Sequence, residues 1–512
     1  MMRKLLISLA LLLLFGTTYG AGPQIIPAPV SYTPQSGVCM IPDNVKVEIG
    51  MPGFMKDVLK MPYFMREEAY RLSIKATGVK IEALTQTGAF RAKTTLEQLK
   101  AAGGQIPCCT IFDYPRFRHR GMMIDESRSF KGLEFLKKQV DAMALLKLNV
   151  LHLHLTDAAG WRIEVPGYPV LTDSVAWRIG KSYFDWEKAG YPFASAHNPQ
   201  AYGGYYTADE LKELVAYAKA RHITIIPEIE MPGHSMEVNR AYPELACIDE
   251  NGKHHNFAWD LCPGNEGTFQ LLKAVLDQVM DIFPSKYIHI GGDEAVMKDW
   301  PACVNCRRRM QEEGYTDVHQ LQGYLMRRIE AYLLENGRRA IGWDEILDAG
   351  LSKDAIIMSW RGISGGEKGS AASYDVIMSP STHCYLNYYQ DLIRKEPAAC
   401  GELVSLRFCY SYEPIARGMD ESHILGLQGN LWCEYITTPE HAEYMLYPRM
   451  FAIAETGWSP AARKDFFDFR NRAYWLCGIL HDRGYRTFDL DGESELARSG
   501  YQRFEQLEAS KK

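Results

Sequence analysis

The sequence predicts an α/β fold: a (β/α)8 TIM barrel preceded by a small α+β domain. From Arg116 onward, short apolar runs alternate with amphipathic stretches, the pattern of repeated βα units around a parallel sheet. Eight such runs occur, and polar side chains follow almost every one. Residues 22–112 differ, with shorter alternating segments and one amphipathic helix. These observations divide the chain into a small domain and a barrel.

The composition is that of a large globular protein. The chain has 512 residues, of which 46% are hydrophobic, and a formal net charge of −6. This mixture excludes disordered, collagen-like and coiled-coil proteins. It contains no long run of Lys or Arg, so the electrostatic signature of a nucleic-acid-binding protein is missing.

Residues 1–21 have the pattern of a signal peptide. Arg3 and Lys4 precede an apolar run at residues 5–15, and small residues follow up to Ala21. The run is too short to span a membrane. We therefore expect cleavage near Gly20 or Ala21 and an exported protein, periplasmic or secreted, without a membrane span.

Twelve cysteines in an exported protein favour disulfides over metal sites. Cys303 and Cys306 form a CxxC motif with no second such motif nearby, which argues against a structural zinc. Cys247 and Cys262 flank a polar loop that a disulfide between them would close. The pairing stays open, and no metal or cofactor is predicted.

The small domain, residues 22–112, contains three predicted strands and a helix. The strands are residues 45–49, 69–74 and 79–83, and the helix is residues 94–101.

The barrel, residues 113–512, includes a helical C-terminal extension. Its predicted strands are residues 121–125, 149–155, 224–228, 287–291, 340–343, 355–360, 375–379 and 426–432. The main predicted helices are residues 133–146, 208–221, 268–282 and 318–336.

Side chains typical of active sites lie at or just after the ends of the predicted strands. In a barrel these ends meet at one mouth, where active sites lie. The residues are Asp125, Arg128, Asp157, Glu228, Glu230, His234, Asp293, Glu294, Trp343, Asp344, Glu345, Trp360, Tyr385, Asn387, Trp432 and Glu434.

The adjacent acids Asp293 and Glu294 are the strongest catalytic candidates. They follow a buried strand and two glycines, and neighbouring carboxylates near an apolar wall should have separated pKa values. One can then stay protonated and act as a general acid. An isolated Asp-Glu pair is more often a helix cap. Three tryptophans at strand ends favour catalysis instead, because indole faces stack on pyranose rings beside acids that cleave glycosidic bonds.

Several motifs in order resemble those of glycoside hydrolase family 20, the exo-acting β-N-acetylhexosaminidases. They are HLHLTDAAGWRIE at 152–164, PEIEMPGH at 227–234, HIGGDE at 289–294 and GWDE at 342–345. The resemblance covers nearly the whole chain after the predicted signal peptide.

The resemblance implies removal of a terminal β-linked N-acetylhexosamine from glycans through an oxazoline intermediate. Families of this kind are exceptions to the two-carboxylate scheme, because the 2-acetamido oxygen of the sugar attacks the anomeric carbon. Glu294 is then the general acid and base, and Asp293 orients the acetamide. A neighbouring anion is expected to favour the acid form of Glu294.

The remaining roles also follow from the resemblance. Arg128 and Glu434 bind sugar hydroxyls, and Tyr385 binds the acetamide oxygen. Trp343, Trp360 and Trp432 line the acetamide pocket and the sugar platform. Asp157 and His234 tune the proton of the acid/base. The choice between GlcNAc and GalNAc and the oligomeric state stay open.

Asn387 departs from the family pattern, which places Asp at this position. Asn removes a charge and adds donors near the outer sugar hydroxyls. This motivates a competing hypothesis, a preference for 6-O-sulfated GlcNAc.

Three hypotheses compete with an N-acetylhexosaminidase. One is a non-catalytic glycan-binding protein on the same scaffold. The second is a glycosidase with a covalent intermediate on Glu228 or Glu345. The third is a metal-dependent hydrolase that uses His152, His154 and Asp157, because the two histidines share one strand face.

Overall fold

The computed structural model describes residues 23–40, 45–101, 103, 105–254 and 258–500. The predicted signal peptide lies outside these residues. Within them, no helix is both long and apolar enough to span a bilayer.

The small domain is a five-stranded sheet with one long helix packed on it. The strand order is β1-β5-β3-β4-β2. The strands are β1 (Ser31–Met40), β2 (Lys46–Ile49), β3 (Tyr70–Lys75), β4 (Gly78–Ala83) and β5 (Gln105–Asp113). The helices are Pro52–Val58, Tyr63–Glu68 and Gln86–Ala101.

Eight parallel strands close into a barrel in chain order. The first of these strands, β6, is buried along its whole length. This is expected when helices cover the outside of a barrel and side chains fill its inside. The strands are β6 (His119–Asp125), β7 (Val150–His154), β8 (Thr224–Glu228), β9 (Tyr287–His289), β10 (Arg339–Trp343), β11 (Ile356–Ser359), β12 (Asp375–Met378) and β13 (Ile424–Leu431).

Helices surround the barrel and continue into a C-terminal extension. The helix Ala208–Lys219 begins at a capping box, in which the Thr207 hydroxyl and the Glu210 carboxylate each accept the other's backbone N–H. The longer outer helices are Leu133–Leu145, Ala208–Lys219, Glu266–Ile282, Val304–Glu313, His319–Glu335 and Ser364–Ala371. The later helices are Leu406–Ser411, Pro439–Leu446, Arg449–Trp458, Phe466–Asp482 and Glu495–Ser499.

The long connections carry short elements. The helices are Val170–Asp173, Tyr183–Lys188, Met236–Ala241 and Ser381–Cys384. The two-stranded ribbons are Thr156–Asp157 with Gly160–Trp161, Trp177–Ile179 with Ala201–Gly203, and Tyr388–Tyr389 with Cys400–Leu403.

Buried ion pairs join the small domain to the barrel. The Glu68 carboxylate lies 2.7 Å from Arg120 at the start of β6 and 2.8 Å from Arg91 in its own domain. The Lys147 ammonium lies 2.8 Å from Asp113, the last residue of β5. Because these charges are removed from water, each depends on its partner across the interface.

The predicted fold class is confirmed. All eight barrel strands occur where the sequence places them, within two residues or fewer at nearly every end. In the small domain the sequence misses β1, β5 and the first two helices, and it starts the long helix eight residues late, at 94 rather than at Gln86.

Candidate active site

The site lies at the carboxyl ends of the first four barrel strands. The register places Asp125 beside His154, His154 beside Glu228, and Glu228 beside His289. These four buried polar residues form one layer across β6 to β9. The layer is the floor under the candidate catalytic residues.

A two-glycine turn carries the chain from β9 to the adjacent acids. Gly291 has φ 62° and Gly292 has φ 98°, values that favour glycine. A Cβ at Gly291 would lie 1.9 Å from the Glu230 carboxylate, and a Cβ at Gly292 would lie 2.5 Å from Ile346. Both glycines are therefore required by backbone conformation and by space.

The imidazole of His234 lies between the side chains of Asp293 and Glu294. Its Nε2 is 3.5 Å from Asp293 Oδ2 and 3.4 Å from Glu294 Oε2. Asp293 is buried, whereas the Glu294 side chain is 60% exposed. Asp293 Oδ1 is buried and has no hydrogen-bond partner in the described part of the chain. A bound group with an N–H can therefore pair with it.

Behind His234, a chain of charges leads to Arg128. His234 Nδ1 lies 3.1 Å from Asp157 Oδ1, and Asp157 Oδ2 lies 2.8 Å from the Arg128 guanidinium. Burial opposes ionisation of Asp157, but the charges of Arg128 and His234 hold its pKa below the usual range. Burial also opposes a charge on His234, but Asp157 raises its pKa well above the usual value. The ring is thus a cation facing both acids.

The pKa values of the two acids are shifted in opposite directions, and that of Glu294 is not shifted in the expected direction. Burial raises the pKa of Asp293. The His234 imidazole, whose Nε2 lies 3.4 Å from the carboxylate, lowers the pKa of Glu294. The prediction that Asp293 favours the acid form of Glu294 is wrong here, because His234 is close to Glu294 and solvent reaches its carboxylate.

Aromatic rings form one wall of the mouth. Trp343 and Trp432 have ring centroids 5.7 Å apart, and Trp360 is stacked on Tyr385 with centroids 6.1 Å apart. The Arg128 guanidinium lies 5.0 Å from the Trp432 ring centroid. Trp343 and Trp432 are more than 90% buried, and Trp360 is partly exposed. The structure therefore brings the three predicted tryptophans together with Tyr385.

Asn387 and Glu434 lie on another side of the mouth, next to the Cys400 thiol. Asn387 Oδ1 and Glu434 Oε2 are buried without a hydrogen-bond partner among the described residues. Burial raises the pKa of Glu434 against the charge of Arg128. These groups can bind sugar hydroxyls. A carboxylate beside Asn387 does not favour a sulfate, so the hypothesis of a sulfated sugar gains no support.

Glu228 is fully engaged in the barrel floor. Its carboxylate lies 2.6 Å from His289 and 3.1 Å from His152, also pairs with His154, and accepts the Trp343 indole N–H at 2.9 Å. Burial opposes its ionisation, but these histidines hold its pKa well below the usual value. A carboxylate with so many partners is a poor nucleophile, which argues against Glu228 as the site of a covalent intermediate.

The histidines proposed as metal ligands have different surroundings. His154 pairs with Glu228 and Asp157 through its two ring nitrogens, and the nearby carboxylates raise its pKa to about 10 against the effect of burial. Burial lowers the pKa of His152 to about 4. In the barrel floor both ring nitrogens of His154 are thus paired with carboxylates. The raised pKa favours its protonated form, which is not the form that binds a metal.

Glu230, which is buried, and Glu345, which is partly exposed, are further acids at the mouth. Burial and the charge of Asp293 raise the pKa of Glu230 well above the usual value, which favours its neutral form. Burial raises the pKa of Glu345 to about 7, and its carboxylate accepts the Trp360 indole N–H at 3.0 Å. The sequence places both at strand ends but does not assign Glu230 a role. The sequence does contain a signal for Glu230, because this acid stands between the apolar Ile229 and Met231.

Two family models match the chain. The model described as "Glycosyl hydrolase family 20, catalytic domain" matches residues 117–461, and "Glycosyl hydrolase family 20, domain 2" matches residues 57–114. The first match spans the barrel strands, and the second covers most of the small domain and ends two residues beyond it.

Curated relatives and solved structures agree with these matches. A Beta-hexosaminidase of Porphyromonas gingivalis is 39% identical over 82% of this chain, which spans 54% of that protein. A Beta-hexosaminidase of Akkermansia muciniphila is 36% identical over 80% of this chain and 83% of its own length. A GH20 exo beta-N-acetylglucosaminidase of Vibrio harveyi, solved with N-acetylglucosamine, has a TM-score of 0.78 at 30% identity and covers 91% of this chain and 78% of its own.

Proposed function

Because this chain belongs to glycosyl hydrolase family 20, we propose that it removes terminal, non-reducing β-linked N-acetylhexosamine from glycans. The observation that carries the proposal is the pair at the mouth: a buried Asp293 with an unpaired oxygen, next to an exposed Glu294. The first can hold an acetamide N–H and the second can reach a glycosidic oxygen. The proposed substrate is a glycan or oligosaccharide that ends in N-acetylhexosamine.

In the first step, Glu294 gives its proton to the glycosidic oxygen as the bond to the anomeric carbon breaks. The acetamide oxygen of the same sugar forms the new bond to that carbon, and an oxazoline results. The Asp293 carboxylate accepts the acetamide N–H and balances the positive charge that develops there. The Tyr385 hydroxyl donates a hydrogen bond to the acetamide oxygen and aligns it.

In the second step, the Glu294 carboxylate removes a proton from a water molecule. The water oxygen bonds to the anomeric carbon, and the bond to the acetamide oxygen breaks. The product keeps the β configuration, and Glu294 is protonated again. Trp343, Trp360 and Trp432 enclose the acetyl group, while Arg128, Asn387 and Glu434 bind the sugar hydroxyls.

Hydrolysis of matched aryl β-glycosides tests the proposal. The wild type should cleave the N-acetylglucosamine or N-acetylgalactosamine compound and leave the glucose compound intact, since glucose lacks the attacking acetamide. Glu294→Gln should lower kcat by about 10²–10⁴-fold, and Glu335→Gln, an exposed position outside the mouth, should not change it. Equal cleavage of the glucoside would support a covalent intermediate, for example on Glu345.

Binding without cleavage is the second outcome that would overturn the proposal. A glycan-binding protein on this scaffold would bind N-acetylglucosamine, as measured by calorimetry, but would release no aryl group from any of the substrates. The wild type and Glu294→Gln would then behave alike.

Export from the cytoplasm is part of the proposal. It is supported by the basic, apolar and small-residue pattern of residues 1–21. N-terminal sequencing of the protein from the cell fraction in which it accumulates tests it. A mature terminus near residue 21 or 22 is expected, and an uncleaved Met1 would contradict it.

A further inference from the structure

Four cysteines outside the active site meet in one buried cluster. Cys247 and Cys262 lie between the helices Met236–Ala241 and Glu266–Ile282, and Cys303 and Cys306 lie at the start of the helix Val304–Glu313. Each is at most 1% exposed. All four sulfur atoms lie within 4.8 Å of one another.

Three of the six sulfur–sulfur separations match those of a tetrahedral metal site, and the others are no longer than 4.8 Å. Cys262 Sγ is 3.6 Å from Cys306 Sγ and 3.7 Å from Cys303 Sγ, and Cys247 Sγ is 3.9 Å from Cys306 Sγ. A zinc ion with four thiolates at about 2.3 Å places neighbouring sulfurs about 3.8 Å apart. We propose that these four cysteines hold a structural zinc ion, contrary to the prediction from sequence that the protein holds no metal.

The surroundings of the cluster suit thiolates bound to zinc. Cys303 is the N-cap of the helix Val304–Glu313, where the helix dipole favours negative charge. Trp300 and Leu321 are fully buried beside the cluster and shield it from water.

The arrangement does not select a pair of cysteines for a disulfide. Cys262 is nearly equally distant from both members of the CxxC motif, and Cys306 is at similar distances from Cys262 and Cys247. A disulfide needs one sulfur pair at about 2.05 Å. Four sulfurs that all lie within 4.8 Å of one another instead match a shared central ion.

The site connects two loops of the active-site mouth. The Asp260 carboxylate accepts the backbone N–H of Val296 at 3.1 Å and of Met297 at 2.6 Å, just after Glu294. The Trp300 indole donates to the carbonyl of Leu261 at 3.0 Å. Zinc bound to Cys262 and Cys303 therefore fixes the segment that follows the general acid.

Metal content and thiol state of the full-length protein test the inference directly. The protein is purified without chelator or reductant, its metals are measured by mass spectrometry, and its cysteines are alkylated after denaturation with and without prior reduction. We expect about one zinc per chain and alkylation of all four cysteines without reduction. Alkylation only after reduction would mean disulfides and would overturn the proposal, as would iron in place of zinc or no metal at all.

Matched variants locate the site. Cys262→Ser should lower the zinc content from about one per chain to near zero and lower the melting temperature. Cys477→Ser changes a buried cysteine in the helix Phe466–Asp482, outside the cluster, and should keep the zinc. Equal zinc contents in the two variants would overturn the assignment. Because the wild-type metal content is decisive by itself, misfolding of Cys262→Ser does not remove the test.

Discussion

His234 and Glu294 face each other at 3.4 Å, and both have left-handed backbone, with φ of 54° and 46°. A residue other than glycine in this region costs about 1–3 kcal/mol and persists only where its surroundings hold it. Asp157 anchors the His234 ring, and the glycine turn fixes the entry to Glu294. The fold therefore sets the distance between the acid and the cation that controls its proton.

Removal of the His234 charge should shift the pH dependence of activity. His234 lowers the pKa values of both Asp293 and Glu294. The proposed mechanism needs Asp293 ionised and Glu294 protonated, so activity rises with pH through the lower of the two pKa values and falls through the higher. In His234→Gln both limbs of the kcat/KM profile should move to higher pH.

The control is His319→Gln, which changes an exposed histidine whose side chain is 71% accessible. Its profile should coincide with that of the wild type. Limbs that stay in place in His234→Gln, or move to lower pH, would contradict the electrostatic role of His234.

Asp293→Asn should lower kcat by about 10²–10³-fold, the effect of losing one group that stabilises developing charge. The amide keeps the shape but removes the negative charge beside the acetamide nitrogen. Steady-state kinetics with the aryl N-acetylglucosaminide measure the change. The comparison is Asp299→Asn, which changes an acid six residues further along the chain that is not among the predicted site residues. A change in KM alone would mean that Asp293 only binds the ground state.

Tyr385→Phe tests the hydroxyl aimed at the acetamide oxygen. The ring should keep its stacking on Trp360, so the loss is confined to one hydrogen bond. We expect kcat to fall by about 10–10²-fold at nearly unchanged stability. Thermal unfolding measured in parallel shows whether the fold is retained. An unchanged kcat would remove Tyr385 from the mechanism.

Glu68→Ala tests the interface between the two domains. The substitution leaves Arg91 and Arg120 buried without their shared carboxylate, which should lower the free energy of unfolding by about 3–5 kcal/mol. Urea denaturation measures the change. Glu97→Ala breaks the more exposed pair with Arg483 and should cost no more than about 1 kcal/mol. Equal losses in the two variants would argue against a special role for the buried pair.

The barrel can be predicted from sequence because its strands are short apolar runs between clear helices. In the small domain, β1 is exposed along most of its length and contains Pro34 and Gly37, so its pattern is weak. Strand β5 contains Pro107 and the adjacent Cys108 and Cys109. This segment is a strand because it pairs with β1 and β3, and no local sequence pattern shows that pairing.

The active-site residues can be predicted as a set, but the balance of their charges cannot. The motifs identify Asp293, Glu294 and His234, whereas the directions of the two acid pKa shifts depend on burial and on a 3.4 Å contact. The cysteine cluster could not be predicted from the sequence either, because it depends on contacts between distant segments. Only the fold brings Cys247 and Cys262 to the CxxC motif.

The raised pKa of Glu230, which lies beneath Gly291, makes the stability of the fold depend on pH. In the unfolded chain this carboxyl ionises at its ordinary pKa, whereas in the folded protein burial keeps it protonated. As the pH rises above that ordinary value, the unfolded state gains relative to the folded one until the raised pKa is reached. Rising pH should therefore destabilise the centre of the mouth from the acidic range upward, and this part of the molecule should be most stable in acidic surroundings.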